Sequence, residues 1–224
     1  MGGKLYGVGV GPGDPELLTL KALRILRSVT VLAWPAPEKG PSLARDIIAE
    51  YLPGTQREIA IRMPLLSAHF PADYVYDKAA IEIKDALDAG EDVAVICEGD
   101  PFFYGSFMYL FGRLANDRSI EVVPGVSSLT ACAAALGSPL SARNDVLSII
   151  PGPLDAGVMS MRLAEADAAA IIKVGRHITK IRGVLASLGL SDNARYIERA
   201  TMAEQRIVNL AEVGDGDAPY FSMV

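Results

Sequence analysis

Cysteine and histidine are almost missing from this chain: among its 224 residues only Cys97, Cys132, His69 and His177 are of these types. None of the four falls at metal-ligand spacing, so no metal centre is expected. Two free thiols in apolar settings suit a reducing compartment, and the expected location is the cytoplasm. No apolar run approaches the roughly 20 residues that span a bilayer. Met1-Gly2-Gly3-Lys4 leads straight into a strand-like run, with no signal-peptide h-region and no serine or threonine placed for a myristoylation signal. No membrane partner is therefore expected. A basic excess is lacking too: 21 Lys and Arg stand against 27 Asp and Glu, a net charge of −6. That balance argues against nonspecific nucleic-acid binding. It leaves room for an anionic small molecule, which a few local arginines can hold.

What is present is an ordinary globular composition, 50% apolar and 21% charged, long enough for one large domain or two small ones. In the first half, strand-like runs at Lys4–Val8, Val29–Ala33, Glu58–Ile61, Asp92–Cys97 and Ile120–Val123 alternate with helical patterns. The spacing predicts helices over Asp14–Arg27, Ser42–Leu52, Ala72–Ala89 and Ser106–Leu114, an α/β order that implies a parallel, doubly wound sheet. Asp14 suits an N-cap and Pro15 the first helical position, while Leu17, Leu20, Leu23 and Leu26 would form a buried stripe. Trp34-Pro35-Ala36-Pro37 reads as a strand stop, Arg62–Pro71 as an irregular loop, and Gly90 as a helix terminator. Pro124-Gly125 breaks the pattern, which places a domain boundary between 1–123 and 124–224. Beyond it, a helix over Ser127–Leu136 is closed by Gly137. Strands are expected near Val146–Ile150, Ala169–Lys173, Arg195–Glu198, Arg206–Asn209 and Tyr220–Val224, with one clear helix at Ile178–Ser187. The short link between the strands near 195 and 206 implies a mixed second sheet. The last run stops abruptly, and the natural chain is expected to continue slightly past Val224.

Gly-Asp-Pro occurs twice, each time after a short apolar run. The first copy closes Tyr6-Gly7-Val8-Gly9-Val10-Gly11-Pro12-Gly13-Asp14-Pro15-Glu16; the second lies in Cys97-Glu98-Gly99-Asp100-Pro101-Phe102-Phe103-Tyr104-Gly105. Both fall where open α/β sheets gather ligands, at the carboxyl ends of strands. The dinucleotide spacing G-x-G-x-x-G fails, because Pro12 or Asp14 stands where the third glycine belongs, and Ala33-Trp34-Pro35 replaces the acidic residue expected after the second strand. A P-loop fails as well, since no Gly-Lys-Ser/Thr follows. A turn with a helix cap needs fewer glycines than residues 7–13 contain, so the loop reads as ligand-facing. The aromatic run Phe102-Phe103-Tyr104 reads as a wall for a flat ligand, with Asp100 within reach of a ribose hydroxyl or a cation. Pro124-Gly125-Val126-Ser127-Ser128 offers either plain helix capping or hydroxyl and N–H contacts to a ligand.

Taken together, these stretches resemble the tetrapyrrole methylase family. The matching residues are Gly7 to Pro15, Gly99-Asp100-Pro101-Phe102, Val123-Pro124-Gly125-Val126-Ser127-Ser128, and Glu198-Arg199-Ala200-Thr201 followed by Gln205-Arg206. Cys97 to Tyr109, Ala142-Arg143-Asn144-Asp145 and Pro219-Tyr220-Phe221-Ser222-Met223 look like the branch that methylates C20 of precorrin-2. The resemblance implies a two-domain α/β homodimer that binds S-adenosylmethionine in the cleft between its domains and a tetrapyrrole as substrate. It implies cofactor contacts at Pro12, Gly99, Asp100, Phe103, Ser127, Ser128, Val174, Arg199, Ala200, Ala218 and Pro219. Val174 stands where the family often has methionine. The macrocycle would lie over Gly11, Gly13 and Asp14, near Trp34. The acceptor is an electron-rich carbon of the substrate itself, so the reaction needs no side-chain nucleophile. Asp100 is the candidate base and Tyr104 the candidate positioning group. Arg62, Arg113 and Arg143 are either partners for the substrate's carboxylates or surface ion pairs. Metal-free and cobalt-containing substrates both remain open.

Overall fold

A computed structural model describes residues 2–64, 73–216 and 218–224. The chain divides into two compact units, Met1–Ser127 and Ser128–Val224. In the first, strands β1 (Leu5–Gly9), β2 (Val31–Pro37), β3 (Arg57–Met63), β4 (Val93–Cys97) and β5 (Ile120–Val123) form a wholly parallel sheet in the order β3-β2-β4-β1-β5. Strand side chains alternate between faces, and the alternation separates two apolar layers. Leu5, Val31, Ala33, Val93, Val95 and Cys97 pack against helices α3 (Asp73–Asp88) and α4 (Phe107–Leu114). Val8, Val10, Leu32, Trp34, Ala94 and Ile96 pack against α1 (Leu20–Ser28) and α2 (Leu43–Ile47). The chain thus leaves β1 on the α1 face and leaves β4 on the α4 face. These two strands are neighbours, so their carboxyl ends form a topological switch point.

Four expectations change. The helix expected over Asp14–Arg27 is broken: Pro15–Leu17 is a single 3-10 turn, Leu18 is extended, and α1 begins only after Thr19, whose Oγ1 accepts the Ala22 N–H at 3.1 Å. A second, better-placed cap wins, and the stripe rotates to Ala22, Ile25 and Leu26, leaving Leu20 exposed. Trp34-Pro35-Ala36-Pro37 does not stop β2. Beyond Ala33 this strand pairs with β3 alone, so the prolines' missing N–H groups face an edge. The helix expected over Ser42–Leu52 is α2 plus a 3-10 turn at Ala49–Tyr51. Of the expected loop Arg62–Pro71, Arg62 and Met63 belong to β3; residues 65–71, including His69, lie outside the described residues, as does Ala72 at the expected start of α3.

The second unit opens with α5 (Ser128–Leu136). A parallel pair follows, β6 (Leu147–Pro151) and β7 (Ala168–Ile172), and then the antiparallel set β8 (Tyr196–Glu198), β9 (Arg206–Val208) and β10 (Ser222–Met223) in the order β10-β8-β9. Ile171 and Val224 exchange both backbone hydrogen bonds, 2.7 and 3.1 Å, which joins the ladders into a mixed sheet. Helix α6 (Ala156–Ala164) gave no clear periodic signal; Asp155 caps it by accepting the Gly157 N–H at 2.8 Å. With α7 (Ile178–Ser187) it covers Ile150, Ile171 and Tyr196.

Glycines 7, 9 and 125 are dictated by close approach inside the first unit. A Cβ on Gly7 would stand 2.2 Å from the Phe107 ring, and one on Gly125 would stand 2.0 Å from the Gly99 carbonyl oxygen and 2.8 Å from the Gly9 Cα. Gly125→Ala is expected to destabilise the protein by about 1–3 kcal/mol, because backbone cannot yield as a side chain can. Gly112→Ala in α4, where an added Cβ meets nothing within 4 Å, should instead stabilise by about 0.5–1 kcal/mol. Urea denaturation of both variants reads the opposite signs.

Glu121 on β5 is bracketed by Lys21 and Lys4. Their hydrogen bonds, that of Lys21 first, pull its carboxyl down from 4.5 to about 2. A depressed folded value means that its stabilisation is complete above the ordinary carboxylate value and fades as pH falls toward about 2. Glu121→Gln should therefore flatten the loss of stability over that acidic window, with a smaller difference at high salt.

Candidate functional site

The two Gly-Asp-Pro loops meet at the switch point. The last parallel pair is Gly9 with Cys97, and two residues later Gly11 and Gly99 form an isolated antiparallel bridge. The Gly99 N–H donates to the Gly11 carbonyl at 2.8 Å, and the Gly11 N–H returns the bond at 3.4 Å. Both glycines are left-handed, with φ of 82° and 65°, a conformation that other residues adopt at a cost. The pair closes the base of the site with backbone rather than side chains. Gly11, Pro12 and Gly99 are themselves buried, so the loop surface is made by half-buried Gly13, Asp14, Asp100 and Phe103.

Asp14 caps the 3-10 turn, its Oδ1 accepting the Glu16 N–H at 2.8 Å. Asp100 is more constrained: Oδ1 accepts the Phe102 N–H at 2.9 Å, and Oδ2 accepts the Gly125 N–H at 3.1 Å. One carboxylate thereby sets its own turn and ties the 124–127 segment to it. Gly105 closes that turn, since a Cβ there would lie 2.5 Å from the Asp100 carbonyl oxygen. The three aromatics do not form one wall. Phe102 packs on Phe107 and Phe111 beside α4, whereas Phe103 and Tyr104 make an edge-on pair with centroids 5.1 Å apart. Tyr104 is left-handed, φ 57°.

Trp34 is buried on the α1/α2 face under the Arg45 guanidinium, 5.6 Å from the ring centroid, and Arg45 is held by Glu58. Ser127 precedes α5 and exposed Ser128 begins it. In the second unit, Val174 has no exposed surface; its side chain belongs to the core around Ile171 and Ile178. Ala200 and Ala218 are buried, Pro219 is half-buried and Arg199 is exposed. Lys173, Arg199 and Thr201 all take positive φ, so strained non-glycine backbone stands beside the expected contacts.

The arginines separate. Arg113 is a structural tie, pairing with Asp73 at 2.9 Å and Asp77 at 2.7 Å on α3. Arg62 donates to the carbonyls of Pro37 and Gly40. Arg143 is exposed, with φ 51°. Glu98 was missed in the sequence. It follows Ala94 and Ile96 onto the α1/α2 face, accepts the Ala44 N–H at 3.2 Å, and burial pushes its carboxyl up. The alternation along β4 was the available signal. Cys97 and Cys132 are buried free thiols, and burial pushes that of Cys132 up to about 11. Among the described residues, no group of three or more His, Cys, Asp or Glu is placed to hold a metal ion, and no helix is long and apolar enough to cross a membrane.

The model of the family Tetrapyrrole (Corrin/Porphyrin) Methylases matches residues 4–214. The chain belongs to this family. It is 42% identical over 229 residues to the cobalamin biosynthesis protein CobIJ of Mycobacterium tuberculosis, covering 99% of this chain and 45% of that protein. The chain thus spans about half the length of that relative. It is 41% identical over 230 residues to a precorrin-2 C(20)-methyltransferase of a Sinorhizobium species, covering 99% of this chain and 94% of the relative. A cobalt-precorrin-2 C(20)-methyltransferase of Salmonella typhimurium is 33% identical over 228 residues, at 100% and 96% coverage. Among solved structures, a cobalt precorrin-4 methyltransferase superposes with a TM-score of 0.74 at 25% identity, covering 98% of this chain and 92% of that one. The uroporphyrin-III C-methyl transferase of Thermus thermophilus, complexed with S-adenosyl homocysteine, gives 0.71 at 25% identity, with coverages of 99% and 96%.

Asp100→Asn should cost about 1–3 kcal/mol, since an amide can accept only one of the two backbone N–H groups and loses the charge that strengthens both bonds. Loss of the Gly125 tether should appear as faster amide exchange at Gly125.

Proposed function

We propose that the protein transfers a methyl group from S-adenosylmethionine to C20 of precorrin-2, giving precorrin-3A in cobalamin (corrin) biosynthesis. The observation that carries this reading is the pair of Gly-Asp-Pro loops bonded through Gly11 and Gly99 at the switch point, in a chain 41% identical to a precorrin-2 C(20)-methyltransferase. The Salmonella relative supports a second reading, in which the substrate already carries cobalt.

The residues suit the cofactor. Gly99, Ala200 and Ala218 are small, and the positive φ values at Tyr104, Lys173, Arg199 and Thr201 mark strain of the kind kept where backbone must face a ligand. When bound, S-adenosylmethionine supplies an electrophilic sulfonium methyl. The family resemblance assigns its contacts to Pro12, Gly99, Asp100, Phe103, Ser127, Ser128, Arg199, Ala200, Ala218 and Pro219. The resemblance assigns Val174 as a contact too, and with its side chain in the core that contact would be made by its backbone. Gly13 and Asp14 would face the macrocycle, with Gly11 buried behind them and Trp34 within the core of the α1/α2 face.

In the reaction, the C20–methyl bond would form as the sulfur–methyl bond breaks, leaving S-adenosylhomocysteine, and the C20 proton would pass to solvent water or to Asp100, the candidate base. The chain's main contribution is alignment of carbon, methyl and sulfur, a form of help that can reach about 7–11 kcal/mol. Asp100 already holds a backbone N–H on each oxygen, so its first task is to keep this loop in shape. Tyr104, strained and partly exposed, would set the macrocycle's position. Two buried free thiols support a cytoplasmic enzyme, and the family resemblance supports a homodimer.

Purified protein incubated with S-adenosylmethionine and either metal-free precorrin-2 or its cobalt form provides the test. Methyl transfer to C20 of the metal-free substrate is expected. Transfer only to the cobalt form selects the second reading, and transfer to neither overturns both. Sedimentation equilibrium should show a dimer.

A further inference from the structure

The turn at Arg199–Thr201 is strained and heavily restrained. Arg199 and Thr201 have φ of 47° and 69° on either side of buried Ala200. The Arg199 N–H donates to the Phe221 carbonyl at 2.7 Å, the Met202 N–H to the Arg199 carbonyl at 3.0 Å, and the Thr201 N–H to the Gln205 Oε1 at 2.8 Å. Directly before it on β8 stands Glu198, a carboxylate only 7% exposed.

Glu198 is the point where three strands meet. Its Oε1 accepts the hydroxyl of fully buried Tyr196 at 2.9 Å and the Arg206 Nη1 at 3.3 Å. In the ladders, Glu198 lies opposite Arg206 on β9 and opposite Ser222 on β10. The Ser222 hydroxyl then donates to the Pro219 carbonyl at 2.6 Å. Burial, and then the bond to Glu198, push the Tyr196 phenol well above its ordinary value, so it stays a donor. Short strands do not need a buried carboxylate for stability, because a packed apolar group in its place is often neutral or better. A charge kept there, with the strained turn on one side and Ser222 on the other, specifies geometry.

We propose that Glu198 is a positioning residue: with Tyr196, Arg206 and Ser222 it holds the Arg199–Thr201 turn and the Ala218–Pro219 segment in the shape that receives S-adenosylmethionine. This rests on the assignment of those segments to the cofactor. Arg199 and Ala200 inherit their position from Glu198 through the chain, and Pro219 inherits its position through Ser222.

The test compares wild type with Glu198→Leu, Glu198→Gln and Tyr196→Phe in the full chain. S-adenosylhomocysteine binding is measured by calorimetry well below each melting temperature, and KM and kcat for methyl transfer are measured alongside. Glu198→Leu should weaken binding and raise the KM for S-adenosylmethionine by about tenfold to a hundredfold, the cost of a misplaced binding group, with kcat changed far less. Glu198→Gln keeps an acceptor for Tyr196 and should recover most of the affinity, while Tyr196→Phe should lose an intermediate amount. If Glu198→Leu does not fold, the ordering of the other two variants decides. A folded Glu198→Leu with wild-type affinity overturns the proposal, as does Tyr196→Phe with wild-type affinity where Leu fails to fold. A wild-type protein that binds no S-adenosylhomocysteine overturns the cofactor assignment itself.

Discussion

The first unit depends on three stretches of backbone brought closer together than side chains allow. Gly9 ends β1, Gly99 follows β4 and Gly125 follows β5, and a methyl group on Gly9 or Gly125 would collide with the Gly99 carbonyl. The close approach lets Gly11 and Gly99 exchange hydrogen bonds where the parallel ladder ends, and it brings the Gly125 N–H to Asp100. Buried polar backbone needs partners, and here the partners come from one another. The loops are therefore set before any ligand arrives, which is the condition for alignment to help a methyl transfer.

The second unit reaches a similar end by different means. Its non-glycine residues Arg143, Lys173, Arg199 and Thr201 take positive φ, so their conformation must be enforced by surroundings. A mixed sheet of short strands supplies only part of that enforcement. The rest comes from side chains acting on backbone: Gln205 on the Thr201 N–H, Ser222 on the Pro219 carbonyl, and Glu198 between β9 and β10. One unit fixes its loops by leaving side chains out, the other by putting polar ones in.

The α/β order, the parallel first sheet and the mixed second one were legible because they follow from alternating apolar periods and short links. Ile120–Val123 and Ile178–Ser187 came out to the residue. Element ends were less legible. Thr19 competes with Asp14 as a cap, and no local pattern ranks them. Pro35 and Pro37 read as a stop until pairing shows β2 to be unpartnered on one side there. The Gly-Asp-Pro repeats marked the correct place, yet the reason for Gly7 and Gly9 was hidden, since their neighbours Phe107 and Gly125 lie about a hundred residues away. Glu98 carries only the faint signal of the alternation along β4, and Glu198 sits on a three-residue strand too short for alternation to separate a buried carboxylate from a solvated one.

Amide hydrogen exchange at Gly99 in the ligand-free protein tests whether the loops are locked in advance. Its N–H donates to the Gly11 carbonyl at 2.8 Å. Protection comparable to the central amides of β4 is expected before any cofactor is added. Exchange as fast as an open loop, slowed only by S-adenosylhomocysteine, would contradict it.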